Sequence, residues 1–125
     1  MPGVRLAEAQ LKHCANTYMY LFDWETSFFN LGACHALELA FVFGTHHHPA
    51  LEPFFDGAKP GADELANAMQ TAWCNFASSG SPGETASYAD NRATLMFGSQ
   101  IRAENDPYPA ERELWNQLDA EIGKM

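Results

Sequence analysis

Residues 31–44 read LGACHALELAFVFG. A single histidine, His35, lies among small residues, and the apolar run that follows holds one carboxylate, Glu38. Residues 36–43 are too few for hydrophobic periodicity to distinguish a short helix from an extended segment. Gly44 ends the run, as glycine commonly does at the end of a regular element. The stretch therefore predicts a short apolar element after His35.

Three strands are predicted around this stretch. The strongest is TYMYLFDW at residues 17–24, because it is dense in aromatic and β-forming side chains. Both of its faces are apolar, which predicts a central strand covered on both sides. Residues 93–97 (ATLMF) and 100–104 (QIRAE) flank Gly98-Ser99, and this arrangement predicts a hairpin.

Three helices are predicted at residues 4–14, 62–79 and 110–122, from the helical spacing of their apolar positions. The clearest is 62–79, with Asp63 as its predicted N-cap and Gly80 as its stop. Its apolar stripe is Leu65, Met69, Ala72, Trp73 and Phe76. The stripe of the last helix is Leu114, Trp115, Leu118 and Ile122.

The connection at residues 45–61 is predicted to be a loop, because Pro49 and Pro53 interrupt any long regular element. Large aromatic side chains at helical spacing are more often core residues than parts of a ligand site. We therefore predict a core role for Phe41, Phe43, Trp73, Phe76 and Trp115.

Length and composition predict a single domain over residues 1–125, with no internal linker. The chain carries 7 basic and 16 acidic residues, a net charge of −9, which argues against nucleic acid or an anionic membrane as partner. No secretory signal or membrane-length apolar run is evident, and no cofactor is expected. The three cysteines lack CxxC spacing, which predicts reduced thiols and a cytoplasmic protein.

Four ordered segments resemble the C-terminal part of type-B carboxylesterases, the cholinesterase-like branch of the α/β-hydrolases that includes bacterial para-nitrobenzyl esterases. TYMYLFDW resembles the strand before the catalytic-histidine loop, and GACHALELAFVFG resembles the histidine motif itself. MQTAWCNFASSGSPG resembles the long C-terminal helix with its Gly-x-Pro exit. RATLMFG, ENDP and ERELW resemble the closing strands and last helix. The resemblance implies an α/β fold corresponding to the C-terminal part of an α/β-hydrolase.

The resemblance also implies a function. His35 stands where the family carries its triad histidine, the general base of acyl transfer from an ester. The family's Gly-x-Ser-x-Gly serine, glycine-rich oxyanion hole and triad acid have no counterpart in these 125 residues. The resemblance thus implies an ester-hydrolase segment that is inactive alone, with a small-molecule ester as substrate once another part completes it.

Two further site hypotheses concern polar residues near His35. Glu38 lies three residues after His35 and is predicted either to orient His35 or to serve as a structural carboxylate. The alternative of a small metal-binding protein uses His46, His47 and His48, with His35 or Asp56 in support. Because adjacent side chains in an extended strand point to opposite faces, the three histidines are expected to remain solvated and not to share one ion.

The predicted partners follow from the strand at residues 17–24. A sheet edge left bare beside a broad apolar surface either aggregates or finds a partner. We therefore expect a homodimer or a complementary chain that supplies the rest of an esterase. The remaining alternative is a non-catalytic oligomeric domain derived from an esterase.

Overall fold

The computed structural model describes residues 2–55 and 60–122. The helices are α1 (Pro2–Leu11), α2 (Glu38–Val42), α3 (Glu52–Phe55), α4 (Ala62–Ser79) and α5 (Pro109–Ile122). The strands are β1 (Met19–Phe22), β2 (Ala93–Phe97) and β3 (Arg102–Asn105). Short 3-10 helices lie at Phe28–Asn30 and Pro49–Leu51. All six predicted helices and strands are present, and the open choice at residues 36–43 resolves as a short helix.

The described strands form one sheet in the order β1-β2-β3. β2 occupies its predicted residues, β3 begins two residues later than predicted (102 against 100), and the two are neighbours as predicted for a hairpin. β1 is an edge strand within the described chain, and Tyr20 and Leu21 are exposed. Among the described residues, β1 is hydrogen-bonded only to β2. The prediction of a central strand covered on both sides stays a prediction.

The chain divides into two compact units. The first comprises residues 1–19, 86–94 and 104–125, and the second comprises residues 20–85 and 95–103. The second unit contains the predicted His35 loop, α2 and α4. The prediction of a single domain over 1–125 stays a prediction.

The second unit holds an apolar core in which α2 packs against α4. Phe41 of α2 and Met69 of α4 are fully buried, and Leu65 is 1% exposed. The Gln70 side chain fixes the two helices by donating from Nε2 to the Phe41 carbonyl at 3.2 Å. The other core members are Trp24, Leu37, Ala40, Phe55, Ala62, Ala66, Ala72 and Phe97.

The ends of α4 are set by glycines. Gly61 is the N-cap at φ +93°, and Gly80 is the C-cap at φ +76°, with its N–H bonded to the Phe76 carbonyl at 2.8 Å. Both conformations are left-handed, which glycine adopts without the steric penalty of a Cβ. The predicted N-cap at Asp63 is wrong, because Gly61 is the N-cap and Asp63 lies inside the first helical turn.

Charged contacts join segments of the first unit that are distant in sequence. Glu8 of α1 pairs with Arg92, and Arg5 pairs with Asp119 of α5. Arg112 donates from both Nε and Nη2 to the Asp106 carboxylate at 2.8 Å, a bidentate arrangement. None of residues 109–121 of α5 is buried.

Several aromatic side chains that were predicted to be core residues are exposed instead. Phe41 is buried as predicted, but Phe43, Trp73, Phe76 and Trp115 are between 36% and 72% exposed. The apolar stripe of α4 is buried at Leu65, Met69 and Ala72 and exposed beyond them. The stripe of α5, namely Leu114, Trp115 and Leu118, is 41–56% exposed, and the Ile122 side chain lies outside the described residues.

The predicted loop at 45–61 contains short helices instead. Pro49 is a first-turn residue of a 3-10 helix and Pro53 is in the first turn of α3, positions that need no intrahelical N–H. No described helix combines the length and the apolar character required to cross a bilayer.

Candidate functional site

His35 lies in a tight turn that immediately precedes α2. The turn is held by the Leu37 N–H, which donates to the Cys34 carbonyl at 3.3 Å, and by the Cys34 N–H, which donates to Gly32 at 2.9 Å. His35 is exposed, and the next residue, Ala36, has φ +68°. Left-handed backbone is costly for alanine, so the fold holds this turn in a strained conformation of the kind that clusters at functional sites.

A cavity of about 490 Å³ opens beside this turn, and His35 is one of its lining residues. The remaining lining is mainly apolar, from Leu37, Leu39, Phe43, Leu51, Phe54 and Phe55. Such a cavity is of the size and character of small-molecule sites. It places an exposed imidazole at a surface that accepts apolar groups.

Glu38 is the first residue of α2 and is half-buried. Within residues 2–55 and 60–122, its carboxylate makes no hydrogen bond or ion pair with His35. Its negative charge instead acts on Tyr20, whose pKa is raised first by burial and then by Glu38. The orienting role of Glu38 therefore stays a prediction.

Two of the three consecutive histidines converge on one carboxylate. His46 Nε2 lies 2.8 Å from Asp63 Oδ1, and His47 Nε2 lies 2.6 Å from the same oxygen. We call His46, His47 and Asp63 the histidine cluster. Hydrogen bonds from His46 and then from His47 lower the pKa of the Asp63 carboxyl, so that it holds its negative charge between them.

The histidine cluster is built by the turn that follows α2. Gly44 at φ +64° ends that helix, the Thr45 N–H returns to the Ala40 carbonyl, and the His48 N–H closes a turn on the Thr45 carbonyl. The His46 side chain is 5% exposed, and its ring lies nearly parallel to Phe41, with centroids 5.5 Å apart. The ring of His46 is therefore fixed by the core of the second unit.

The structure corrects the expectation that adjacent histidines diverge. Adjacent side chains diverge in an extended chain, whereas residues 45–48 turn and bring His46 and His47 to the same side. His48 is separate, because its Nδ1 accepts from the Ala50 N–H at 3.2 Å and caps the following 3-10 helix. Asp56 lies outside the described residues. No local sequence pattern indicates Asp63 as their partner, since 17 residues separate it from His46.

Comparison with known proteins shows which family the chain resembles. A profile described as the carboxylesterase family matches residues 1–121. The chain is 37% identical over 122 residues to the para-nitrobenzyl esterase of Bacillus subtilis (strain 168), covering 90% of this chain and 24% of that protein. It is 34% identical over 91 residues to the acetylcholinesterase of Bungarus fasciatus, covering 68% and 14%.

Solved structures of carboxylesterases are also similar to this chain. A carboxylesterase of Geobacillus stearothermophilus superposes with a TM-score of 0.72 at 38% identity, over 88% of this chain and 24% of that one. A para-nitrobenzyl esterase structure gives 0.70 at 35% identity, over 90% and 24%. The predicted α/β fold of the α/β-hydrolase type is confirmed. The chain spans about a quarter of the length of these relatives.

Proposed function

Because the chain belongs to the carboxylesterase family, we propose that it supplies His35 as the general base of a serine carboxylesterase site. His35 takes the proton of the serine hydroxyl as the oxygen attacks the ester carbonyl. It then returns that proton to the leaving alcohol, and the cycle repeats with water in the second half-reaction. The substrate is a small-molecule ester.

The observation that carries this proposal is the placement of His35 in a strained turn on the wall of a mainly apolar cavity. A general base must be reachable by the group that it deprotonates, and His35 is exposed. Its sequence context, GACHALELAFVFG, is the segment that resembles the family's histidine motif. The apolar lining suits the acyl or alkoxy part of an ester.

The serine, the oxyanion donors and the triad acid of the proposed site come from sequence outside these 125 residues. The second unit presents surfaces that such a part can cover. Tyr20 and Leu21 of β1 and Trp73 and Phe76 of α4 are exposed at 36–50%. Exposed apolar side chains of this size, together with an open sheet edge, favour a covering partner. The three unpaired cysteines, Cys14, Cys34 and Cys74, support a reducing, cytoplasmic setting within the same proposal.

The test reconstitutes the site. The purified chain is mixed with the Bacillus subtilis para-nitrobenzyl esterase from which the matched segment has been deleted, and a second version joins the two parts as one polypeptide. Hydrolysis of a short-chain nitrophenyl ester and labelling by a fluorophosphonate probe are followed by rate and by intact mass. We expect neither reaction with this chain alone and both in the completed enzyme.

The variants identify the base. In the completed enzyme His35→Ala is expected to lower kcat by at least about 10³-fold, the scale of losing a triad member. His48→Ala is the matched control, because His48 is also an exposed loop histidine and, among the described residues, its ring accepts a hydrogen bond from the nearby Ala50 N–H. Equal activity of His35→Ala and the parent, with serine labelling intact, would assign the base to another residue.

A further inference from the structure

We propose that the histidine cluster is a binding site for a divalent ion of the zinc class, with His46 Nε2, His47 Nε2 and Asp63 Oδ1 as ligands. The three ligand atoms lie within 4.8 Å of one another. This site does not rest on the proposed esterase function, and it uses neither His35 nor any residue assigned to ester hydrolysis.

The ligand atoms are already gathered around one point. Two imidazole nitrogens approach the same carboxylate oxygen at 2.8 and 2.6 Å. Zinc binds nitrogen at about 2.0–2.1 Å and carboxylate oxygen at about 2.0–2.2 Å, so tetrahedral ligand atoms lie about 3.3–3.4 Å apart. An ion therefore requires each hydrogen-bonded pair to open by about 0.5–0.8 Å. His47 and Asp63 are 57% and 65% exposed and can make that adjustment.

One ligand is rigid and two are accessible, a combination that favours capture of an ion from solution. The His46 ring is held between the core and the cluster by its stack on Phe41. Asp63 stands in the first turn of α4, where the helix N-terminus stabilises its negative charge. Exposure of the other two ligands leaves room for water to complete the coordination.

The donor set selects the kind of metal. Two imidazole nitrogens and one carboxylate oxygen suit zinc and its neighbours in the transition series, whereas calcium and magnesium prefer oxygen ligands. Three protein ligands leave one coordination position open for water, whereas structural zinc sites have four protein ligands and are closed.

The second ring nitrogen of His46, Nδ1, limits the affinity of the site for the ion. Its Nδ1 is buried and has no hydrogen-bond partner among the described residues. A zinc-bound neutral imidazole carries its proton on that nitrogen, and metal-ligating histidines normally donate this N–H to a carboxylate, carbonyl or water. We therefore expect an affinity about 10–100-fold weaker than that of a comparable site with this support.

The experiment titrates the untagged, chelator-treated chain with zinc by calorimetry and with cobalt(II) by visible absorption. We expect one ion per chain and intense cobalt bands of low coordination number. His47→Ala and Asp63→Asn are each expected to weaken zinc binding by at least about 10-fold. Both positions are exposed, so these variants keep the core, and circular dichroism verifies the fold.

His48→Ala is the matched control and is expected to bind zinc as the parent does. An equal loss in His48→Ala and His47→Ala would overturn the proposal in favour of unspecific capture by three consecutive histidines. Absence of saturable binding up to about 1 mM zinc, the weak end of specific affinity, would overturn it outright.

Discussion

Helices α4 and α5 carry similar apolar stripes, yet they are held in different ways. In the second unit, α4 buries Leu65 and Met69 against α2, leaving each no more than 1% exposed. In the first unit, α5 leaves Leu114, Trp115 and Leu118 at least 41% exposed and is tied instead by Arg112 to Asp106 and by Asp119 to Arg5. An amphipathic sequence specifies a helix, but only the neighbouring surface decides whether its stripe stabilises the fold.

The largest expected difference between the two helices comes from truncating one stripe residue in each. Met69→Ala in α4 is expected to lower the free energy of unfolding by about 2–5 kcal/mol, because it removes buried volume and leaves a cavity. Leu118→Ala in α5 should change it by less than about 0.5 kcal/mol. Both changes introduce the best helix former, so helix propensity does not separate them. Urea denaturation at low protein concentration measures both, and equal costs would show that the α5 stripe is buried in solution.

The next largest effect on stability is expected from replacing the C-cap glycine of α4. Gly80→Ala is expected to destabilise the second unit by about 1 kcal/mol, because φ +76° is left-handed and no atom lies within 4 Å of the added Cβ. The same substitution at Gly3 in α1, also open, is expected to stabilise by up to about 1 kcal/mol. Thermal unfolding of the two variants should shift in opposite directions; a shared direction contradicts the assigned role of the C-cap.

A smaller effect on stability is expected from the ion pair that holds α5, in contrast to the apolar burial that holds α4. The bidentate Arg112 contact lowers the pKa of Asp106 below its ordinary value. The stabilisation is therefore fully present above the unfolded pKa of about 3.9 and is lost as pH falls through the lower folded pKa. Asp106→Asn tests this, because asparagine tolerates the φ of +48° at this position and removes only the charge.

The measurement for this pair compares the midpoint of thermal unfolding of parent and Asp106→Asn from about pH 7 to about pH 2. We expect the parent to be more stable at neutral pH and the two curves to converge in acid. High salt should also reduce the difference, since the pair is partly exposed. If the two curves stay parallel at every pH, the Asp106 charge is not the cause of the stability difference.

The smallest effect on stability is expected from the α5 stripe itself, where association is the informative readout. Replacing Trp115 and Leu118 together by glutamine should alter the free energy of unfolding by no more than about 0.5 kcal/mol per site. It should reduce self-association, seen by sedimentation velocity over a concentration series, because exposed apolar patches drive association. Glu111→Gln on the same helix is the control. A parent chain that stays monomeric throughout would exclude this stripe as a self-association surface.

Local patterns in the sequence were sufficient for most of the fold. Residues 62–79 were predicted as a helix and 93–97 as a strand with the observed bounds, because periodicity and glycine stops are encoded within a few residues. The short helices in 45–61 are not evident from the sequence, because proline is typical of helix breaks and is also accepted in the first turn of a helix.

What the sequence could not supply was tertiary context. Trp73 and Trp115 look like core residues in any pattern, yet both are exposed, because burial depends on which surface lies opposite. The contact of His46 with Asp63 joins residues 17 positions apart and carries no local signature. The loop at His35 was predicted from family resemblance, but its left-handed Ala36 was not, since alanine rarely adopts that conformation.

The stacking of His46 on Phe41 gives this protein an internal spectroscopic reporter. The two rings lie 16° from parallel with centroids 5.5 Å apart. We therefore expect the ring current of Phe41 to shift the carbon-bound imidazole protons of His46 relative to those of the other four histidines in a one-dimensional NMR spectrum. Loosening of the contact between α2 and α4 collapses that displacement. A single resolved line thus follows the integrity of the core in the intact chain.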